Sequence, residues 1–169
     1  MAKDQLHVLR VAVVLGVILG YGIVACACAY PADLPDPHLT PGAARHVSTR
    51  EVCRRGSSRD ARHVTEAMKR QVFRRYGMPL GNHTGACRGA QDCEIDHLIS
   101  LELGGANAIT NLWPQPFAGR WNARMKDRLE LRLHQEVCTG VLPMRAAQRA
   151  IRTDWIAAFR KRFPELVPR

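Results

Sequence analysis

Glu94-Ile95-Asp96-His97-Leu98-Ile99-Ser100-Leu101-Glu102-Leu103-Gly104-Gly105 is followed, after a short gap, by Asn111-Leu112-Trp113-Pro114. Apolar residues with interspersed charge make Glu94 to Leu103 a strand, and Gly104-Gly105 turns it. Asn111-Leu112-Trp113 is a second short strand, stopped by Pro114 and Pro116. Arg120 to Val137 then places Met125, Leu129, Leu133 and Val137 along one stripe of a helix, which Thr139-Gly140 ends. A strand–loop–strand–helix unit sits at the centre of the chain.

Outward from that unit the pattern is helical. Thr49 reads as an N-cap, with Val52 and Cys53 opening a short apolar turn. From Ser58 or Arg59 to Tyr76, residues Ala61, Val64, Ala67, Met68, Val72 and Phe73 recur at helical spacing, and Gly77 and Pro79 end the helix. Gly81 to Asp92 holds three glycines and no apolar period, so it reads as a loop. Beyond the unit, Pro143 opens a last helix whose buried face is Met144, Ala147, Ile151, Trp155, Ala158 and Phe159. Pro31 to Gly42, with four prolines, reads as an extended tether. The expected fold class is α+β, mostly helical, with one β-hairpin.

The N-terminus reads as an export signal. Lys3 and Arg10 precede the uncharged run Val11 to Gly20, and Ala27-Cys28-Ala29 gives a small-residue cleavage site before Tyr30. Two other fates stay open. Ile23-Val24-Ala25-Cys26 resembles a lipobox, and Val11 to Tyr30 is long enough to span a bilayer uncleaved. Each outcome puts the rest of the chain outside the cytoplasm, in a periplasmic or extracellular setting, with membrane contact only through a retained or lipidated leader. The expected division is a leader at 1–29, a tether at 30–48 and one domain at 49–169.

Outside the leader, four cysteines remain: Cys53, Cys87, Cys93 and Cys138. An even number in a small exported domain suggests two disulfides. Three pairings are open. Cys87–Cys93 is favoured because the two flank a short glycine-containing loop, and it leaves Cys53–Cys138. The irregular spacings make a four-cysteine zinc site the weaker reading. Charged residues at 24% exclude a disordered composition, and the formal net charge of +10 points to a polyanionic partner, nucleic acid first. No protein partner is legible.

An adjacent carboxylate and imidazole, Asp96-His97, suit metal-assisted hydrolysis: the one holds a cation, the other takes a proton from water. Asn111 comes fourteen residues after His97, and Asn122-Ala123-Arg124-Met125-Lys126-Asp127 stands eleven further on, at the start of the central helix. Together these residues resemble the signature of the HNH, or ββα-metal, endonucleases, over residues 94–127. The likeness is strongest to small secreted bacterial HNH proteins, through Leu101-Glu102-Leu103-Gly104-Gly105 and Asn111-Leu112-Trp113-Pro114.

The resemblance implies a ββα-metal core braced by flanking helices and disulfides. It also implies low-specificity hydrolysis of phosphodiesters in DNA, with RNA a second substrate. Asp96 and Asn122 would bind a divalent metal, Mg²⁺ first and Mn²⁺ second. His97 would be the general base, and Asn111 would order the loop and orient His97. Arg124 and Lys126, beside Arg120 and Arg128, would contact phosphate. Asn122 also reads as a helix N-cap, which departs from the histidine usual at that position. The paired Cys-x-x-Cys clips of many such domains are absent. Glu94 and Glu102 read as supporting or exposed strand residues, Trp113 and Trp155 as core anchors, and His134 as a surface residue. Arg50, Arg54, Arg55, Arg59 and Arg62 form a second basic cluster. The rival reading is a non-catalytic polyanion-binding protein of the envelope on the same scaffold.

Overall fold

In the computed structural model, which describes residues 33–78 and 93–167, Cys93–His97 (β1) and Leu112–Pro116 (β2) pair antiparallel. The register runs from Cys93 opposite Pro116 to His97 opposite Leu112. The second strand therefore continues through both prolines that were expected to stop it. Proline has no N–H, so Pro114 and Pro116 fit only where the backbone points away from the partner strand. The pairs Asp96–Trp113 and Glu94–Gln115 are then the ones that exchange ladder hydrogen bonds. Alternation puts Glu94 and Asp96 on one face of β1, and Cys93, Ile95 and His97 on the other.

The first strand is also shorter than expected. Beyond His97 the chain leaves the sheet, and Leu101–Leu103 winds as a 3₁₀ turn whose N-cap Ser100 accepts from Glu102 N. Leu101 and Leu103 are buried there, so their apolar character reflects a packed turn rather than a strand.

Five α-helices surround the hairpin among the described residues: Thr49–Val52 (α1), Ser57–Ala61 (α2), Glu66–Arg75 (α3), Ala123–Cys138 (α4) and Met144–Arg162 (α5). Ser48, one residue before the expected Thr49, caps α1. The single helix read from Ser58 to Tyr76 is split. Arg62 is extended, and Thr65 opens α3 by accepting a hydrogen bond from Met68 N at 3.3 Å. A β-branched N-cap and a side-chain bond to the last carbonyl of α2 outweigh the apolar period that runs across the break. In α5, Asp154 has extended dihedrals (φ −163°, ψ 96°), and its carboxylate caps the second half by accepting from Ala157 N.

Two core clusters form among the described residues, one on the hairpin and one between α4 and α5. Val72 and Phe73 of α3 pack with Cys93, Ile95 and Leu112. Leu129, Leu133 and Val137 of α4 pack with Ala147, Ile151, Trp155 and Phe159 of α5, and with Ile99 and Leu103. Trp113 and Trp155 are wholly buried, as core anchors should be. Each apolar side chain removed from water contributes about 1.5–3 kcal/mol.

Residues 33–48 are not a loose tether. Thr40 is buried and donates to the Leu112 carbonyl, Gly42 N to Thr110, and Arg45 N to Gly104. Ala44 bridges Gly105, and the Trp155 indole donates to the Asp33 carbonyl. A proline-rich segment shows no periodicity in sequence, yet its backbone can dock on a loop that offers free donors and acceptors.

Cys53 and Cys138 form a disulfide, with their Cα atoms 5.7 Å apart and a sequence separation of 85. Cys93 is disulfide-bonded too, and Cys87 lies outside the described residues. Opening the Cys53–Cys138 bond, by reduction or as Cys53→Ser/Cys138→Ser, is expected to cost about 2–4 kcal/mol, because so long a loop leaves the unfolded chain much more entropy. The urea midpoint of the oxidised and the double-serine proteins measures it. No helix among the described residues is long and apolar enough to cross a membrane, and the leader, residues 1–29, lies outside them.

Candidate functional site

The loop between the two strands is built around Asn111. Its amide oxygen accepts from Ile99 N at 2.9 Å and from Ala43 N at 3.2 Å. Its amide nitrogen donates to the carbonyls of Ile99, at 3.0 Å, and Ala106, at 2.9 Å. A fully buried side chain thus replaces four backbone partners that the irregular loop lacks. Gly105 completes the packing: a Cβ there would lie 1.8 Å from the Ile99 carbonyl oxygen. The four bonds of Asn111 tie the loop together, and Asn111 makes no hydrogen bond to the His97 ring.

That bond belongs to Asn107, which the sequence pattern does not single out. Its amide nitrogen donates to the Ala61 carbonyl at 2.7 Å, which turns its oxygen toward His97 Nε2, 3.0 Å away. The acceptor fixes the proton on Nε2, so Nδ1 holds the lone pair of the neutral ring. Burial drives the His97 pKa below its ordinary 6.5, opposed by the Asn107 bond and by Asp96. The ring is neutral at pH 7 and only 2% exposed. Neutral, with one nitrogen tethered, it has the form of a base.

On the opposite face of β1, Asp96 meets Lys126. The Lys126 side chain is wholly buried; its ammonium donates to Asp96 Oδ2 at 2.5 Å, to the His97 carbonyl at 2.7 Å and to Glu130. All three of its protons are engaged. Despite burial, the two carboxylates raise its pKa, so it stays charged. Lys126 therefore does not face solvent to meet phosphate. It binds α4 to the end of β1, because an ammonium carried into the interior is stable only against opposite charge. Arg124 is exposed and available to an anion, and Arg120 stacks near Trp121.

Asn122 takes its other sequence reading. It is the N-cap of α4, accepting from Met125 N at 3.3 Å while its amide nitrogen donates to the Gly119 carbonyl at 3.1 Å. No hydrogen bond joins it to Asp96. The cap uses one lone pair of its oxygen and leaves the other.

Negative charge accumulates beside Asp96. Burial, then Asp96, then Asp127 push Glu94 up to about 7, against the pull of Lys126 and Arg62. Asp127 is raised as well, first by burial and then by Asp96. The charge of Arg62 acts on Glu94, His97 and Asp127 alike, which singles it out within its basic cluster. Across the ladder from Glu94, Gln115 is fully buried with neither amide atom hydrogen-bonded among the described residues. Glu102 lies in the 3₁₀ turn, its carbonyl 2.8 Å from Nδ1 of the half-buried His134.

A hard cation fits this chemistry. Clustered carboxylates and an unsatisfied amide oxygen are its usual donors, and Asp96 Oδ1 makes no hydrogen bond to a described residue. Among the described residues, however, no three His, Cys, Asp or Glu side chains converge as a ligand set, so an ion here would keep much of its water.

Because Glu94 is favoured in its neutral form, its contribution to stability is fully present below pH 4.5 and is lost as the pH rises through about 7. After discounting for its partial exposure, the loss is expected to be about 1–2 kcal/mol. Chemical denaturation of the parent and of Glu94→Gln at pH 5 and pH 8 without divalent ions measures it, and the substitution should change the pH 5 to pH 8 difference by that amount.

Comparison of the chain with protein-family models, curated proteins and solved structures finds no match.

Proposed function

We propose that this protein is a metal-dependent nuclease of the HNH type that hydrolyses phosphodiester bonds, in DNA first, outside the cytoplasm. The observation that carries the reading is a buried, neutral imidazole adjacent along β1 to a strand face that carries Glu94 and Asp96, in a hairpin whose next element is a helix. His97 is tethered through Nε2, and the charges of Asp96 and of Asp127, in the first turns of α4, both act on Glu94. A basic chain around this unit suits a polyanionic substrate.

Asp96 through Oδ1, assisted by Glu94 or Asp127 and by the Asn122 oxygen, would hold Mg²⁺ or Mn²⁺. When bound, the ion withdraws charge from the scissile phosphate and the departing oxygen. His97 takes the proton of the attacking water on Nδ1, and Asn107 keeps the ring in the tautomer that makes this possible. Lys126 holds Asp96 in place, so that one carboxylate oxygen stays directed outward. Arg62 and Arg124 replace Lys126 as the cations that meet the substrate's phosphates.

Supercoiled plasmid incubated with the purified protein should be nicked with Mg²⁺ or Mn²⁺ and untouched in EDTA. Mg²⁺ added at pH 8 should also raise the unfolding midpoint, since an ion that binds only the folded state stabilises it. Intact plasmid across Mg²⁺, Mn²⁺, Ca²⁺ and Zn²⁺ would sink the proposal and leave polyanion binding as the function.

A further inference from the structure

We infer that the cleft between residues 42–48 and the N-terminal half of α5 is a docking track for the phosphate backbone of duplex nucleic acid, carried by Arg145, Arg149 and Arg152. A cavity of about 520 Å³ lies between Arg45–Ser48 and the Met144, Arg145 and Gln148 side of α5. It shares Ala44, Arg145 and Gln148 with a second hollow of about 270 Å³, which runs on past Ile99, Arg149 and Arg152. The two hollows adjoin along the same face of α5.

The three arginines stand at i, i+4 and i+7, on one helical face about 10 Å long. They are exposed, and none forms an ion pair with a described residue. Arg145–Arg149 and Arg149–Arg152 are like-charge neighbours, and such pairs destabilise a helix. No acidic residue lies at i±3 or i±4 of any of the three to relieve this. The acid that lines the cleft, Glu51, stands 4.0 Å from Arg45. A row of unrelieved cations about 6 Å apart suits an anion that repeats along a line.

Two features hold the row in position. The stem of Arg152 lies across Gly42, where a Cβ would come within 2.8 Å of its Cγ. Gln148, between the arginines, donates to the Leu103 carbonyl at 2.7 Å, and Arg45 Nε donates to Gly105 at 3.1 Å. These bonds tie the cleft to the loop that carries Asn107, and one lining residue, Ile99, belongs to that loop, two residues after His97. The cleft's lining includes no large exposed apolar side chain, which insertion into a bilayer would require.

The partner is that of the nuclease reading, but the surface is tested by binding alone. Anisotropy of a labelled 20-base-pair duplex is measured in EDTA across a salt series, for the full protein, for Arg145→Gln/Arg149→Gln, and for Arg70→Gln/Arg74→Gln. The last pair has the same spacing and charge on α3, where Glu66 precedes it. The α5 variant should bind at least tenfold more weakly at low salt and lower the slope of log K against log salt by about 2, one for each phosphate that is no longer neutralised. The α3 variant should change neither by more than a small fraction. Equal weakening in both variants, or an unchanged slope in the α5 variant, would overturn the inference. So would duplex binding that survives in the α5 variant while its binding to phosphatidylglycerol vesicles disappears. Because no cleavage is read, a protein that binds here but never nicks plasmid upholds this surface and refutes only the nuclease.

Discussion

Lys126→Met will cost the folded state about 3–5 kcal/mol, among the largest single losses available in this domain. The ammonium is completely buried and is shared by Asp96, Glu130 and the His97 carbonyl. Methionine matches its shape but leaves two carboxylates facing each other with no cation between them. The loss should be smaller at pH 5 than at pH 8, because burial raises Glu130 and the orphaned acid takes up a proton as the pH falls. It should also be largely reversed in Lys126→Met/Asp96→Asn/Glu130→Gln, whose neutral groups need no counter-charge. Urea denaturation of the three proteins at pH 5 and pH 8 decides the matter. A Lys126→Met protein as stable as the parent at pH 8 would mean that the ion cluster does not hold α4 against β1.

His97→Ala should lower plasmid nicking by about 10²- to 10⁴-fold, the usual contribution of a positioned general base. The ring is buried and bonded to Asn107, so the fold should also lose about 1–3 kcal/mol, and nicking is compared at a temperature where both proteins remain folded. Because burial holds the His97 pKa below 6.5, the acid limb of the pH–rate profile should also fall below pH 6.5. Asn107→Ala tests the tether separately. The Nε2 proton loses its fixed acceptor, so the rate should fall by about 10- to 100-fold, and the acid limb should move lower as the bond that favours the charged ring disappears. If His97→Ala nicks as fast as the parent, another residue removes the proton and the assignment is wrong.

Much of this is legible in the sequence, and the misses have physical reasons. The hairpin, the long α4 and the last helix follow from apolar spacing, which reports which face is buried. The ends of elements do not, because side-chain caps set them: Asn122 at α4, Thr65 at α3, and Asp154 within α5. Lys126 misleads for a general reason. A lysine among arginines looks solvated, and only the fold reveals that Asp96, thirty residues earlier, is its partner. Asn107 carries no signal beyond its place after Gly-Gly-Ala, whereas Asn111 is visible through the motif it completes. The Cys53–Cys138 bond follows once Cys93 is assigned elsewhere, since four cysteines leave little freedom.

The prolines of β2 have one more consequence. Trp113 and Gln115 turn their amides toward β1, so the far edge of the strand presents the positions of Leu112, Pro114 and Pro116. Two of those three lack a proton to offer. A foreign strand laid along that side would find acceptors without the matching donors, and zipping would fail after its first bond. The hairpin can thus stay two strands wide at high local concentration, resisting the edge-to-edge association by which small sheets aggregate.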